Sequence, residues 1–93
     1  MNYELIVTGK FKKGLKLAQK RGLDINLLKD VVDKLQHNVR LEPKHKDHEL
    51  KGNYKGFREC HIQPDWLLIY LKENNTLTLT LVATGSHSDL LDI

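Results

Sequence analysis

Apolar positions along the chain follow two different rhythms. In the first half they recur at helical spacing: Phe11, Leu15 and Ala18 mark one stripe, and Leu28, Val31, Val32 and Leu35 mark a second at i, i+3, i+4, i+7. In the last third they alternate. Leu77, Leu79 and Leu81 take turns with Thr76, Thr78 and Thr80, the signature of a half-buried strand. The stripes predict a helix from a Thr8 cap to about Arg21, ended by Gly22, and a second from an Asp24 cap to about Asn38. Gly14 is expected to weaken the first slightly. A short strand, residues 3–7, precedes the pair, and the short link between the helices makes them a hairpin.

Residues 39–53 hold Pro43, Gly52 and the polar run Lys44-His45-Lys46-Asp47-His48 with no sustained period, so a long loop is expected there, and such loops are often functional. Three strands follow, about 54–62, 66–72 and 76–83, with turns at Gln63-Pro64-Asp65 and Glu73-Asn74-Asn75. Strand, helix hairpin, then a three-stranded antiparallel meander gives an α+β fold with the helices on one face of a mostly antiparallel sheet. Neither a repeat nor a second unit is visible, and residues 1–93 are read as one domain.

Composition narrows the class without changing this picture. With 40% hydrophobic and 29% charged residues the chain is neither disordered nor fibrous. No apolar run approaches the roughly 20 residues that cross a bilayer, and the start lacks a secretory pattern, so a cytoplasmic protein with no membrane partner is expected. The single cysteine, Cys60, agrees with a reducing compartment. Charge adds more. The net +3 conceals an asymmetry, because residues 1–58 carry fourteen Lys/Arg against seven Asp/Glu, a net +7, and residues 59–93 carry one against five, a net −4. Lys10, Lys12, Lys13, Lys16, Lys20 and Arg21 surround the first apolar stripe with no acid between them. Such a face attracts phosphate backbones, though a solvated lysine-rich helix has the same composition.

The candidate chemistry lies in the loop and the strand-rich half. Four of the five histidines are there: His45, His48, His61 and His87. Alternation on the second strand puts Phe57, Glu59 and His61 on one face, with Arg58, Cys60 and Ile62 on the other. Asp65 and Trp66 follow at the hairpin, and His87 stands just past the last strand, where Gly85 lets the chain turn. RNA cleavage through the 2′-hydroxyl needs a base, a cation for the developing phosphorane and an acid for the leaving 5′-oxygen; histidine suits both proton roles, and no metal or cofactor is required. A surface histidine and a core tryptophan are the ordinary placements, so the pattern alone leaves both readings open. A zinc site from His45-x-x-His48 with Cys60 or His61 is disfavoured by the lone cysteine. A Cys60 nucleophile is disfavoured because its thiol points away from His61.

Taken together, Leu17-Ala18-Gln19-Lys20-Arg21, Lys46-Asp47-His48-Glu49-Leu50-Lys51-Gly52, Gly56-Phe57-Arg58-Glu59-Cys60-His61, Gln63-Pro64-Asp65-Trp66-Leu67-Leu68-Ile69-Tyr70 and Thr84-Gly85-Ser86-His87-Ser88-Asp89-Leu90 resemble the YafQ branch of the RelE/ParE toxin superfamily over nearly the whole chain. The resemblance implies the helix-pair-on-sheet fold and a ribosome-dependent messenger-RNA endonuclease of a type II toxin–antitoxin pair. It also implies a cognate antitoxin, ribosomal RNA contacts through the basic face, and operator DNA reached only through the antitoxin. Carried over by position, the catalytic histidines fall on His48, His61 and His87, the catalytic aspartate on Asp65, and Trp66 follows it; Glu59 stands where relatives often have aspartate. His48, or His61 assisted by Asp65, is expected to take the 2′ proton, and His87 to protonate the leaving oxygen. An arginine usual before Thr-Gly is Ala83 here, and an aromatic usual near the end is Leu91. Arg58, Lys46, Lys51 and Lys55, with Trp66 and Leu91, are the expected RNA contacts. The rival readings are a catalytically weakened binding module and a gyrase-directed ParE-type toxin, the latter disfavoured by the histidine set.

Overall fold

A computed structural model describes residues 2–54 and 56–91, with the backbone alone at Asn53 and Leu91. The first strand, β1 (Glu4–Val7), leads into α1 (Gly9–Lys20) and α2 (Ile25–Gln36). A two-residue strand, β2 (His48–Glu49), then precedes β3 (Arg58–Gln63), β4 (Trp66–Glu73), β5 (Thr78–Gly85) and the short α3 (His87–Leu91). The sheet order is β1-β5-β4-β3-β2, with β1 parallel to β5 and every other neighbour antiparallel. Among the described residues no helix is long and apolar enough to cross a membrane.

The helix caps are those expected. The Thr8 hydroxyl accepts the Phe11 N–H at 3.0 Å while its own proton goes to the Val82 carbonyl, so the cap also pins α1 to β5. Asp24 accepts the Asn26 N–H at 3.0 Å. Asn38 takes a left-handed φ of 60° and stops the chain just beyond α2. Phe11, Ala18, Leu28, Val31 and Leu35 sink into one core with Cys60, Ile62, Trp66, Leu68, Tyr70, Leu79 and Leu81, so the helices cover a single face of the sheet.

Gly14 does the opposite of what helix propensity suggests. A Cβ there would stand 2.1 Å from the Thr84 carbonyl oxygen, so the missing side chain is what lets α1 press onto β5.

Other differences from the sequence-based expectation set the site. The loop over 39–53 is not structureless: a 3₁₀ turn (Pro43–His45) and β2 lie within it. β3 begins at Arg58 rather than 54, because the Gly52–Tyr54 turn and Gly56, at φ +98°, bend the chain first. Leu77 lies outside β5 with φ 51° and 38% exposure, whereas Leu79 and Leu81 reach the core as expected. A bulge between Leu81 and Ala83 then reverses the facing of β5, pairing Leu81 with Tyr70 and Ala83 with Ile69.

Candidate active site

Residues directly opposite one another in adjacent strands share a face, so the register places two rows on the side away from the helices. One row runs His48, Glu59, Ile69, Ala83, and the next runs His61, Leu67, Gly85. β2 is only two residues long, yet its pairing with β3 is what sets His48 beside Glu59. Past Gly85 the chain turns into α3, whose first residue is His87.

These placements gather five ionisable side chains. Glu59, 4% exposed, has its Oε1 3.7 Å from His48 Nε2 and 3.6 Å from His61 Nε2. The His61 and His87 rings meet edge to face with centroids 5.5 Å apart. Asp65 Oδ1 accepts both the His87 backbone N–H at 3.0 Å and its Nδ1 at 2.6 Å. These two hydrogen bonds, backbone first, hold the Asp65 carboxyl below the usual carboxylate range. The expected pairing of Asp65 with His61 is therefore corrected: the β3–β4 turn carries Asp65 to His87, and the acid beside His61 is Glu59.

Hydrogen bonding also fixes which ring nitrogen of His48 carries a proton. A carbonyl oxygen only accepts, so His48 Nδ1, 2.7 Å from the Lys46 carbonyl, carries its proton there and leaves Nε2 on the Glu59 side. The turn that makes this possible is Lys46, at φ 46°. His45 is buried and donates Nδ1–H to the His61 carbonyl at 2.7 Å, next to a bulge in β3. With Lys44, Lys46, His61 and His87 it lines a cleft of about 660 Å³. His45 and Lys44 were not among the predicted contacts; their position one turn before His48 in the basic run was the available signal.

The other five predicted RNA contacts fare differently. Trp66 is 2% exposed and donates its indole N–H to Thr84 Oγ1 at 3.0 Å, so it is a core residue and no stacking platform. Its reason is alternation: as the first residue of β4 it faces the helices with Leu68 and Tyr70. Arg58 is not brought to the cluster, because Asp47 takes its guanidinium at 3.1 and 3.3 Å and is itself held by the Tyr70 hydroxyl. Lys51 is exposed. Lys55 and the Leu91 side chain lie outside the described residues. Ala83 is buried and contributes no charge. Cys60 is sealed in the core, its thiol pushed up to about 12 chiefly by burial, which leaves no nucleophile there. Among the described residues no group of three or more His, Cys, Asp or Glu side chains is arranged to hold a metal ion.

A pH titration checks the Asp65–His87 contact. A depressed folded value means that the stability this pair contributes is present above the ordinary aspartate value and is lost as pH falls through Asp65's own. The Asp65 carboxyl ¹³C resonance is expected to titrate below about 3.9. A midpoint at or above that value would contradict the two hydrogen bonds from His87.

Residues 3–92 match the sequence profile of a family described as the bacterial toxin of type II toxin–antitoxin system, YafQ. The chain belongs to the YafQ toxin family. The "mRNA interferase toxin YafQ" of Escherichia coli K12 is 42% identical over 84 residues, 89% of each chain. YafQ in the E. coli DinJ–YafQ toxin–antitoxin complex superposes with a TM-score of 0.88 at 38% identity, covering 97% of this chain and 98% of that one. A metal-bound toxin from Helicobacter pylori superposes with a TM-score of 0.89 at 48% identity, covering 97% and 99%. The YafQ fold is thus the α+β arrangement described above, with the same helix pair over one sheet face.

Proposed function

We propose that this YafQ-family toxin is a messenger-RNA endonuclease that cuts through the RNA's own 2′-oxygen, and that His48, Glu59, His61, Asp65 and His87 carry the reaction. The observation that supports this most is the convergence of three imidazoles and two carboxylates, from β2, β3, the β3–β4 turn and α3, two of which, His61 and His87, line a cleft together with Lys44 and Lys46. His48 Nε2 takes the 2′-hydroxyl proton, and the Glu59 carboxylate meets the positive charge this creates. His61, between the two ends of the cluster, faces the non-bridging phosphate oxygens. His87, its Nδ1–H held by Asp65, protonates the 5′-oxygen from Nε2. The products are a 2′,3′-cyclic phosphate and a free 5′-hydroxyl.

The exposed lysines of α1 (Lys10, Lys12, Lys13, Lys16 and Lys20) supply a second, sequence-independent attraction to phosphate, suited to ribosomal RNA. The cognate partner is an antitoxin, as DinJ is for E. coli YafQ.

Inducing the protein in growing cells, alone and with its antitoxin, tests the reading. Growth arrest with new message ends is expected, and the upstream ends should carry 2′,3′-cyclic phosphate. Harmless expression, or upstream ends that carry a plain 3′-hydroxyl, would overturn it.

A further inference from the structure

α3 has only five residues, too few to hold its own conformation, yet it must place His87 within hydrogen-bonding distance of Asp65. Two contacts do this work. Ser86 and Asp89 form a reciprocal cap: the Ser86 N–H donates to Asp89 Oδ2 at 3.0 Å, and the Asp89 N–H donates to Ser86 Oγ at 3.1 Å. Arg21 then grips the same carboxylate from outside, Nη1 to Oδ2 at 2.7 Å and Nη2 to Oδ1 at 3.3 Å. These partners, Arg21 first, hold the Asp89 carboxyl far below the usual range.

The grip has a firm base. Arg21 follows directly on α1, which Gly14 seats against the β5 backbone. There is also no slack beneath α3, because a Cβ on Gly85 would stand 2.9 Å from Asp89 Cβ. Arg21 and Asp89 are partly exposed, and exposed ion pairs add little to global stability, so the consequence of this one is local. It decides where α3 sits.

We propose that Arg21 is a positioning residue for His87: by clamping Asp89 it fixes α3 so that the His87 ring meets both Asp65 and His61. The catalytic consequence rests on the proposed function, in which His87 is the acid; the geometric one does not.

Both can be read separately. Arg21→Ala, Asp89→Ala and the double variant are compared with wild type for kcat and KM on cleavable RNA, and for His87 imidazole ¹⁵N resonances without RNA. In each single variant kcat is expected to fall about 10- to 100-fold, as small misplacements of a reacting group do, with KM nearly unchanged. The double variant should be no worse than the poorer single, and Arg21→Lys should recover part of the loss. The His87 resonances should shift in Arg21→Ala. Unchanged His87 resonances would overturn the proposal, as would losses that multiply. A loss confined to KM with a shallower salt dependence would also overturn it, by making Arg21 an RNA contact. If wild type cuts no RNA, the functional reading fails while the resonances still decide the clamp.

Discussion

Replacing His87 with alanine is expected to leave a folded protein that cuts RNA about 10² to 10⁴ times more slowly, the usual cost of removing a general acid or base. His87 is 37% exposed at its side chain and contributes nothing to the core cluster, so a fall in melting temperature is not the cause. Its loss leaves Asp65 without the imidazole and His61 without its edge-to-face neighbour, but His48, Glu59 and the lysines of the cleft remain. RNA binding should therefore persist. Measured with saturating substrate, the loss should appear in kcat, and it should shrink on substrates whose leaving group needs no proton. A folded His87→Ala protein that cuts at the wild-type rate would remove this residue from the mechanism.

Gly14→Ala is expected to destabilise, against the direction helix propensity gives. Alanine in a helix interior is favoured over glycine by about 1 kcal/mol. Here the new methyl would stand 2.1 Å from a backbone carbonyl oxygen, with the Thr84 carbonyl carbon and Cγ2 at 3.1 Å, and backbone cannot rotate away as a side chain can. Overpacking of this kind costs about 1 to 3 kcal/mol and sometimes more, and a clash with main chain belongs at the upper end. The net loss of about 2 kcal/mol corresponds to a fall in Tm on the order of 8 to 16 °C for a chain of this size. Thermal denaturation of the purified variant decides it: a Tm equal to or above wild type would mean that α1 does not press on β5 as described. Because α1 also carries Arg21, a loosened helix should reach the His87 end of the site as well.

The parts of the fold that were legible in the sequence are those whose information is local. Thr8 and Asp24 announced the two helices, and the stripes from Phe11 to Ala18 and Leu28 to Leu35 named the faces they bury. The Leu/Thr alternation gave away β5, and Glu59 and His61 two residues apart on a strand had to share a side. What stayed hidden depends on distant partners. The parallel seam of β1 with β5 joins residues over seventy positions apart. Two-residue β2 exists only because β3 is there to pair with, and five-residue α3 only because Arg21 and Ser86 hold its third residue.

The site divides in the same way. Its members could be read from residue type and order, but their pairings could not. Asp65 is four residues from His61 and twenty-two from His87, yet the β3–β4 turn delivers it to the latter. Trp66 next to a predicted catalytic aspartate reads as a base-stacking group until alternation along β4 turns it into the core. Arg58 looks like a phosphate ligand until the Asp47–Tyr70 pair claims it. Gly14 carries no chemistry and is a poor helix residue; only the approach of Thr84 explains it.

In the proposed mechanism the cluster from His48 to His87 drives the RNA's own 2′-oxygen onto the neighbouring phosphorus. The most direct measurement uses two messages that differ at one nucleotide, the one on the 5′ side of the cut, which is ribose in one and 2′-deoxy in the other. Purified protein is added with ribosomes under conditions that cut the first. The deoxy message is expected to stay whole at that position while other sites are still cut. Cleavage there at the same rate would show that water or another nucleophile attacks, and the assignment of His48, Glu59 and His87 to 2′-oxygen chemistry would be wrong.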